Sequence, residues 1–156
     1  MVSANIERVP AIAPNELRPT WTHRIGFPRP IAATLSHEGV GGVRHATFDG
    51  GVLFIETIDT WDPWRKLSFS IRAQTDRIPR TTLDQHVTIG GPYFDVLRGT
   101  YELQPLSNGG TRLILSSDHR LSTDFNWYSE LWTRSVMSDL QKSILSVIKN
   151  RCEHAD

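Results

Sequence analysis

The sequence predicts an α+β domain in which a curved antiparallel sheet of six to seven strands wraps one long C-terminal helix, with short helices near the N-terminus. Three observations carry this expectation. Nearly all strand-like texture lies between Val43 and Leu121, the strands are joined by glycine turns and not by helices, and the long amphipathic segment, residues 126–154, comes last. A lone helix with an apolar stripe must bury it against something, and the sheet is the only large partner. That arrangement leaves room for a cavity between the two.

Residues 1–38 are the least regular. Prolines at 10, 14, 19, 28 and 30 forbid a long helix. Ile6, Val9, Ile12 and Leu17 suit short amphipathic turns, and Ile31 to Leu35 is a further apolar patch. The region reads as an irregular or short-helical arm packed over the sheet, which occupies residues 39–121. Gly39, Gly41 and Gly42 form a turn before a strand over 43–48. Asp49-Gly50-Gly51 then signals a hairpin, since such residues tolerate the positive φ of tight turns. A returning strand covers 52–61, and Asp62-Pro63-Trp64 turns the chain again. Over 66–73, apolar Leu67, Phe69 and Ile71 alternate with Ser68, Ser70 and Arg72, the period of a half-buried antiparallel strand. Further strands are expected over 83–89, 93–105 (with Gly99 at a bulge or bend) and 111–121, the last after Asn108-Gly109-Gly110.

Asn126 suits a helix N-cap and Glu130 suits the positive end of the dipole, while Lys149, Arg151 and His154 lie at the other end. Tyr128, Leu131, Trp132, Val136, Leu140, Ile144, Val147 and Ile148 recur at spacings of three and four and so share a stripe.

At 156 residues the chain is one domain by length, and 38% hydrophobic with 22% charged residues is ordinary for a globular protein. Seventeen acidic and seventeen basic residues cancel, which argues against a nucleic-acid or anionic-membrane partner. Cys152 is the sole cysteine, so neither a disulfide framework nor a thiolate cluster is available. No apolar run reaches membrane-span length and residues 1–10 lack a leader-like apolar core, so a cytoplasmic protein is expected.

Several stretches together resemble the START-like (SRPBCC) superfamily, and within it the polyketide-cyclase-like proteins. They are the glycine turn Gly39-Val40-Gly41-Gly42-Val43-Arg44, the strand Phe54-Ile55-Glu56-Thr57-Ile58 followed by Trp61-Asp62-Pro63, Gly110-Thr111-Arg112-Leu113, and the helix residues Leu131-Trp132 and Ile144-Leu145-Ser146-Val147-Ile148-Lys149. The resemblance implies a helix-grip fold, a seven-stranded sheet around the C-terminal helix with a small helical pair closing one end. It also implies a lipid- or polyketide-like hydrophobic ligand or, alternatively, cyclase or dehydratase chemistry. One departure stands out: the N-terminus is short for the family's first strand, so either residues 2–6 are a degenerate strand or that strand is missing. A missing strand would leave a sheet edge unpaired, from which a homodimer through the N-terminal region or the sheet edge is expected.

Candidate chemistry is sparse. Glu56 shares a strand face with Phe54 and Ile58. Either it is a cavity carboxylate suited to proton transfer, or Leu53, Ile55 and Thr57 face inward and Glu56 is solvated, which is the plainer reading. Asp84 lies two residues from His86 and would orient it as a base if both sit on a strand, though such a pair is more often a surface contact. His119 alternates with Leu113, Leu115 and Leu121; it either projects into the cavity or, more simply, is a satisfied core histidine. Glu56, His86 and His119 are thus the catalytic candidates. The cavity candidates are Phe54, Ile58, Phe69, Ile71, Tyr101, Leu103, Leu115, Ser117, Trp127, Tyr128, Leu131, Trp132 and Val136, the residues that would equally fill a closed core. The six histidines show no metal-ligand spacing, the glycine turns open no helix after a parallel strand, and no serine sits in a nucleophile elbow, so neither metal nor cofactor is expected. Binding of a small hydrophobic molecule leads, an acid–base enzyme follows, and a protein-interaction module is a third reading.

Overall fold

The computed structural model describes residues 2–13, 15–17, 20–24, 27–74, 89–124 and 126–154. Two short helices, α1 (Val2–Glu7) and α2 (Trp21–Arg24), precede β1 (Pro30–Leu35), β2 (Val43–Phe48), β3 (Leu53–Asp62), β4 (Lys66–Gln74), β5 (Phe94–Pro105) and β6 (Thr111–Leu121), and α3 (Asn126–Glu153) ends the chain. The strands form one six-stranded antiparallel sheet in sequence order, β1 to β6. This is the α+β plan the sequence predicts. No described helix is long and apolar enough to cross a membrane.

The β2–β3 hairpin shows how local sequence sets register. Gly50 and Gly51 take φ of 70° and 85°, and Phe48 N–H donates to the Val52 carbonyl at 2.9 Å. A side chain would strain both glycine positions. The tight turn therefore places residues equidistant from Gly50 opposite one another.

The arm departs from expectation in two places. Residues 2–6 belong to a helix and not to a degenerate strand, and Pro30–Leu35, read as part of the arm, is the first strand of the sheet. Its inward residues include Ala33 and Leu35, and two adjacent alanines blur the apolar alternation that marks a strand. The outer edge of β1 is covered by the chain's own N-terminal segment. Val9 and Ala33 exchange backbone bonds at 3.0 and 2.8 Å, and Ile12 N–H donates to the Ile31 carbonyl at 2.7 Å. Among the described residues, no strand pairs with the outer edge of β6. Of the strand expected over 83–89, all but Ile89 lies outside the described residues; Ile89 bridges to Phe94.

α3 packs its later turns into the sheet. Val136, Met137, Val147 and Ile148 are buried, and full burial of an aliphatic side chain of this size stabilises by roughly 1.5–3 kcal/mol. Side-chain bonds tie the N-terminal segment to this helix. Arg151 holds Glu16 with two nitrogens, at 2.8 and 3.0 Å, and also donates to the carbonyls of Pro10 and Ala11. The Thr22 hydroxyl donates to Asp139 at 2.5 Å, fastening α2 to the same helix.

Candidate functional site

Between the concave face of the sheet and the inner face of α3 lies a cavity with about 110 Å³ open to the centre of a water molecule. One water needs roughly 10–15 Å³ on that measure, so the space suits several waters or a small organic molecule. Most of the wall is apolar. Val9 and Ile12 close it from the N-terminal segment, Phe48, Phe54, Phe69, Ile71, Phe94 and Val96 from the sheet, and Val136, Met137, Leu140 and Ile144 from α3.

The polar part of the wall is built on the β2–β3 hairpin. Arg44 lies six residues before Gly50 and Glu56 six after, and the two are direct cross-strand partners. Both point inward, only 5% and 4% exposed, and form an ion pair through Nη1 and Oε2. The inward face of β3 is therefore Phe54, Glu56 and Ile58, so the solvated reading of Glu56 gives way to the cavity reading. The cause lies on the neighbouring strand. Turning Glu56 outward would leave Arg44 buried without a counter-charge, a cost of several kcal/mol in general. Phe69 offers its ring face to the guanidinium at 5.5 Å, and the Tyr101 hydroxyl adjoins it. Gly99 makes room for that ring: a Cβ there would meet Phe69 Cε2 at 2.6 Å.

Loss of solvation pushes the Glu56 carboxyl above the usual carboxylate range, and the guanidinium offsets this only in part. Burial raises the Tyr101 phenol as well, so it stays neutral and can donate. Arg44 keeps its charge, as arginine does. One group is left over. Arg44 Nε–H is buried and has no hydrogen-bond partner among the described residues. At a second polar spot across the cavity, Gln141 Nε2 donates to Ser117 Oγ at 3.0 Å.

Of the expected cavity residues, Phe54, Phe69, Ile71, Tyr101, Leu115, Ser117 and Val136 are on the wall. Ile58 and Leu103 belong instead to the packed core around Leu67 and Tyr101. The aromatic start of α3 lies outside the cavity: Trp127, Tyr128, Leu131 and Trp132 are 71%, 52%, 62% and 50% exposed, and Trp132 meets Trp21 at 6.0 Å. These residues are exposed although they keep the spacing of the buried stripe. His119 is half-buried against Phe94 at 6.3 Å and is not on the wall. Asp84 and His86 lie outside the described residues. Sequence reasoning passed over Arg44 and Gln141. The hairpin turn carried the signal for Arg44, because a turn centred on Gly50 makes it the neighbour of Glu56. Gln141 carries no comparable signal.

Among the described residues, no group of three or more His, Cys, Asp or Glu side chains converges on a point that could hold a metal ion. Comparison with protein-family models, with curated proteins and with solved structures finds no match to this chain.

Proposed function

We propose that this domain binds a small, mostly apolar molecule that carries a neutral oxygen, held in the cavity between α3 and the sheet. The observation that carries the reading is the unpartnered Nε–H of Arg44, a buried donor on the wall of an otherwise apolar space. A buried donor without an acceptor costs roughly 1–3 kcal/mol, and a hydroxyl, carbonyl or ether oxygen of a ligand would remove that cost. Tyr101 supplies a second neutral polar contact at the same end. A carboxylate fits poorly, because Glu56 already neutralises Arg44 and a second anion beside it would be desolvated without a counter-charge.

The sheet-around-helix plan also supports the START-like reading, and we take that superfamily, with a lipid- or polyketide-like ligand, as the family proposal. A reducing cytoplasmic setting accords with the single free Cys152. Native mass spectrometry of the freshly purified full chain tests the binding reading. A retained neutral species of small mass, released on collisional activation, is the expected result; an empty protein that also takes up no added apolar alcohol or ketone contradicts it.

One observation favours an enzyme as the second reading. Glu56 is a carboxyl on the cavity wall, paired with Arg44, and a cyclase or dehydratase needs one such placed acid–base group beside its substrate. Turnover of a bound cyclisable ketone that Glu56→Gln abolishes, with binding retained, would move the assignment to that class.

A further inference from the structure

The two edges of the sheet are treated differently. β1 is covered by Val9 and Ile12, whereas β6 runs for 11 residues with nothing paired to its outer side among the described residues. An edge of this length is a template for another strand unless it is bulged, interrupted by proline or blunted by charged side chains. The exposed charges of β6, Arg112, Asp118 and Arg120, are of mixed sign, so they restrict the register without excluding a partner of opposite pattern. The bulge near Val96 lies on β5, and β6 contains no proline.

The phase of the ladder shows which groups are free. Leu106 N–H bonds the Gly110 carbonyl and Ser122 N–H bonds the Tyr93 carbonyl. By antiparallel alternation, the even-numbered residues of β6 pair with β5, and the odd-numbered residues present their N–H and C=O groups outward.

We infer that the outer edge of β6 pairs antiparallel with β6 of a second copy of this chain, about a twofold axis through Leu115, joining two sheets into one. The odd residues meet in this register, so Leu115 faces its own copy and Leu113 faces Ser117. Arg112 lies three residues before Leu115 and Asp118 three after, so each Arg112 stands opposite the other copy's Asp118. These are the closely spaced, non-hydrogen-bonded positions, where cross-strand charges interact best. Both side chains are exposed, and neither forms an ion pair among the described residues. Sliding the register by two residues, to an axis through Ser116, sets Arg112 against Arg120. The charge pattern therefore selects the Leu115 axis.

Analytical ultracentrifugation of the full chain between about 1 and about 200 µM tests this, the range in which a modest interface associates. A monomer–dimer equilibrium is expected for the wild type, weakening as salt rises. Arg112→Asp places like charges opposite each other twice and raises the dissociation constant by on the order of tenfold or more. The double variant Arg112→Asp/Asp118→Arg exchanges the partners and restores wild-type association. A wild type that stays monomeric throughout overturns the inference. So does a dimer that Arg112→Asp leaves unchanged, or one that the double swap fails to restore while circular dichroism shows it folded.

Discussion

Arg44 and Glu56 stand directly opposite each other on β2 and β3, and their ion pair lies inside the cavity instead of on the surface of the sheet. The same cross-strand relationship on the convex face would contribute about 0–1 kcal/mol and no function. Buried, it supplies the polar end of an apolar site.

Removing one partner should therefore cost far more than removing both. Glu56→Gln leaves a buried guanidinium without its counter-charge, and urea denaturation should show a loss of about 3 kcal/mol or more. Arg44→Met/Glu56→Met replaces the pair by apolar groups and should stay within about 1 kcal/mol of wild type. It keeps the cavity and loses the oxygen contact.

Gly99→Ala should act on the site through Phe69. The added methyl would lie 2.6 Å from a ring atom of a buried side chain, so the ring must shift from its place on the cavity wall. Overpacking of this kind costs about 1–3 kcal/mol. Thermal unfolding should report the loss, and ligand affinity should fall with it.

The clamp between Arg151 and Glu16 should be sensitive to acid. The hydrogen bonds from Arg151, the largest influence, hold the Glu16 carboxyl below its ordinary value of 4.5. A folded-state pKa below the unfolded one means the unfolded chain binds protons more readily. The stabilisation is then complete above the unfolded pKa and disappears as pH falls through the folded value. With the side chains 28% and 18% exposed, Glu16→Gln should cost about 1 kcal/mol near neutral pH. As pH falls through the folded value that cost should shrink toward zero, and stability curves measured from neutral to acid pH check this.

Trp127→Ala should change neither stability beyond about 0.5 kcal/mol nor ligand affinity, since the side chain is 71% exposed and outside the cavity. A large loss of binding on that substitution would return the aromatic start of α3 to the site.

The sheet and the long helix were legible because their signals are local. Glycine turns need positive φ, alternating Leu67, Phe69 and Ile71 mark a half-buried strand, and the stripe from Val136 to Ile148 keeps helical spacing. β1 was hidden because Ala32 and Ala33 carry little hydrophobic contrast, and because its pairing with β2 is set by tertiary contact. The inward turn of Glu56 was ambiguous on its own strand and becomes clear only with Arg44 across the hairpin. Tyr128, Leu131 and Trp132 share the spacing of the buried stripe, so nothing local distinguishes them from it; only the folded chain shows where burial stops.

The central claim is that the site prefers an apolar molecule with a neutral oxygen, and the most direct measurement is titration calorimetry with naphthalene, 2-naphthol and 2-naphthoate, which share one skeleton. The wild-type protein should bind 2-naphthol on the order of tenfold more tightly than naphthalene, with 2-naphthoate weakest, and Arg44→Met/Glu56→Met should abolish the difference between the first two. Equal affinities for the three in the wild type, or tightest binding of the carboxylate, would contradict the account.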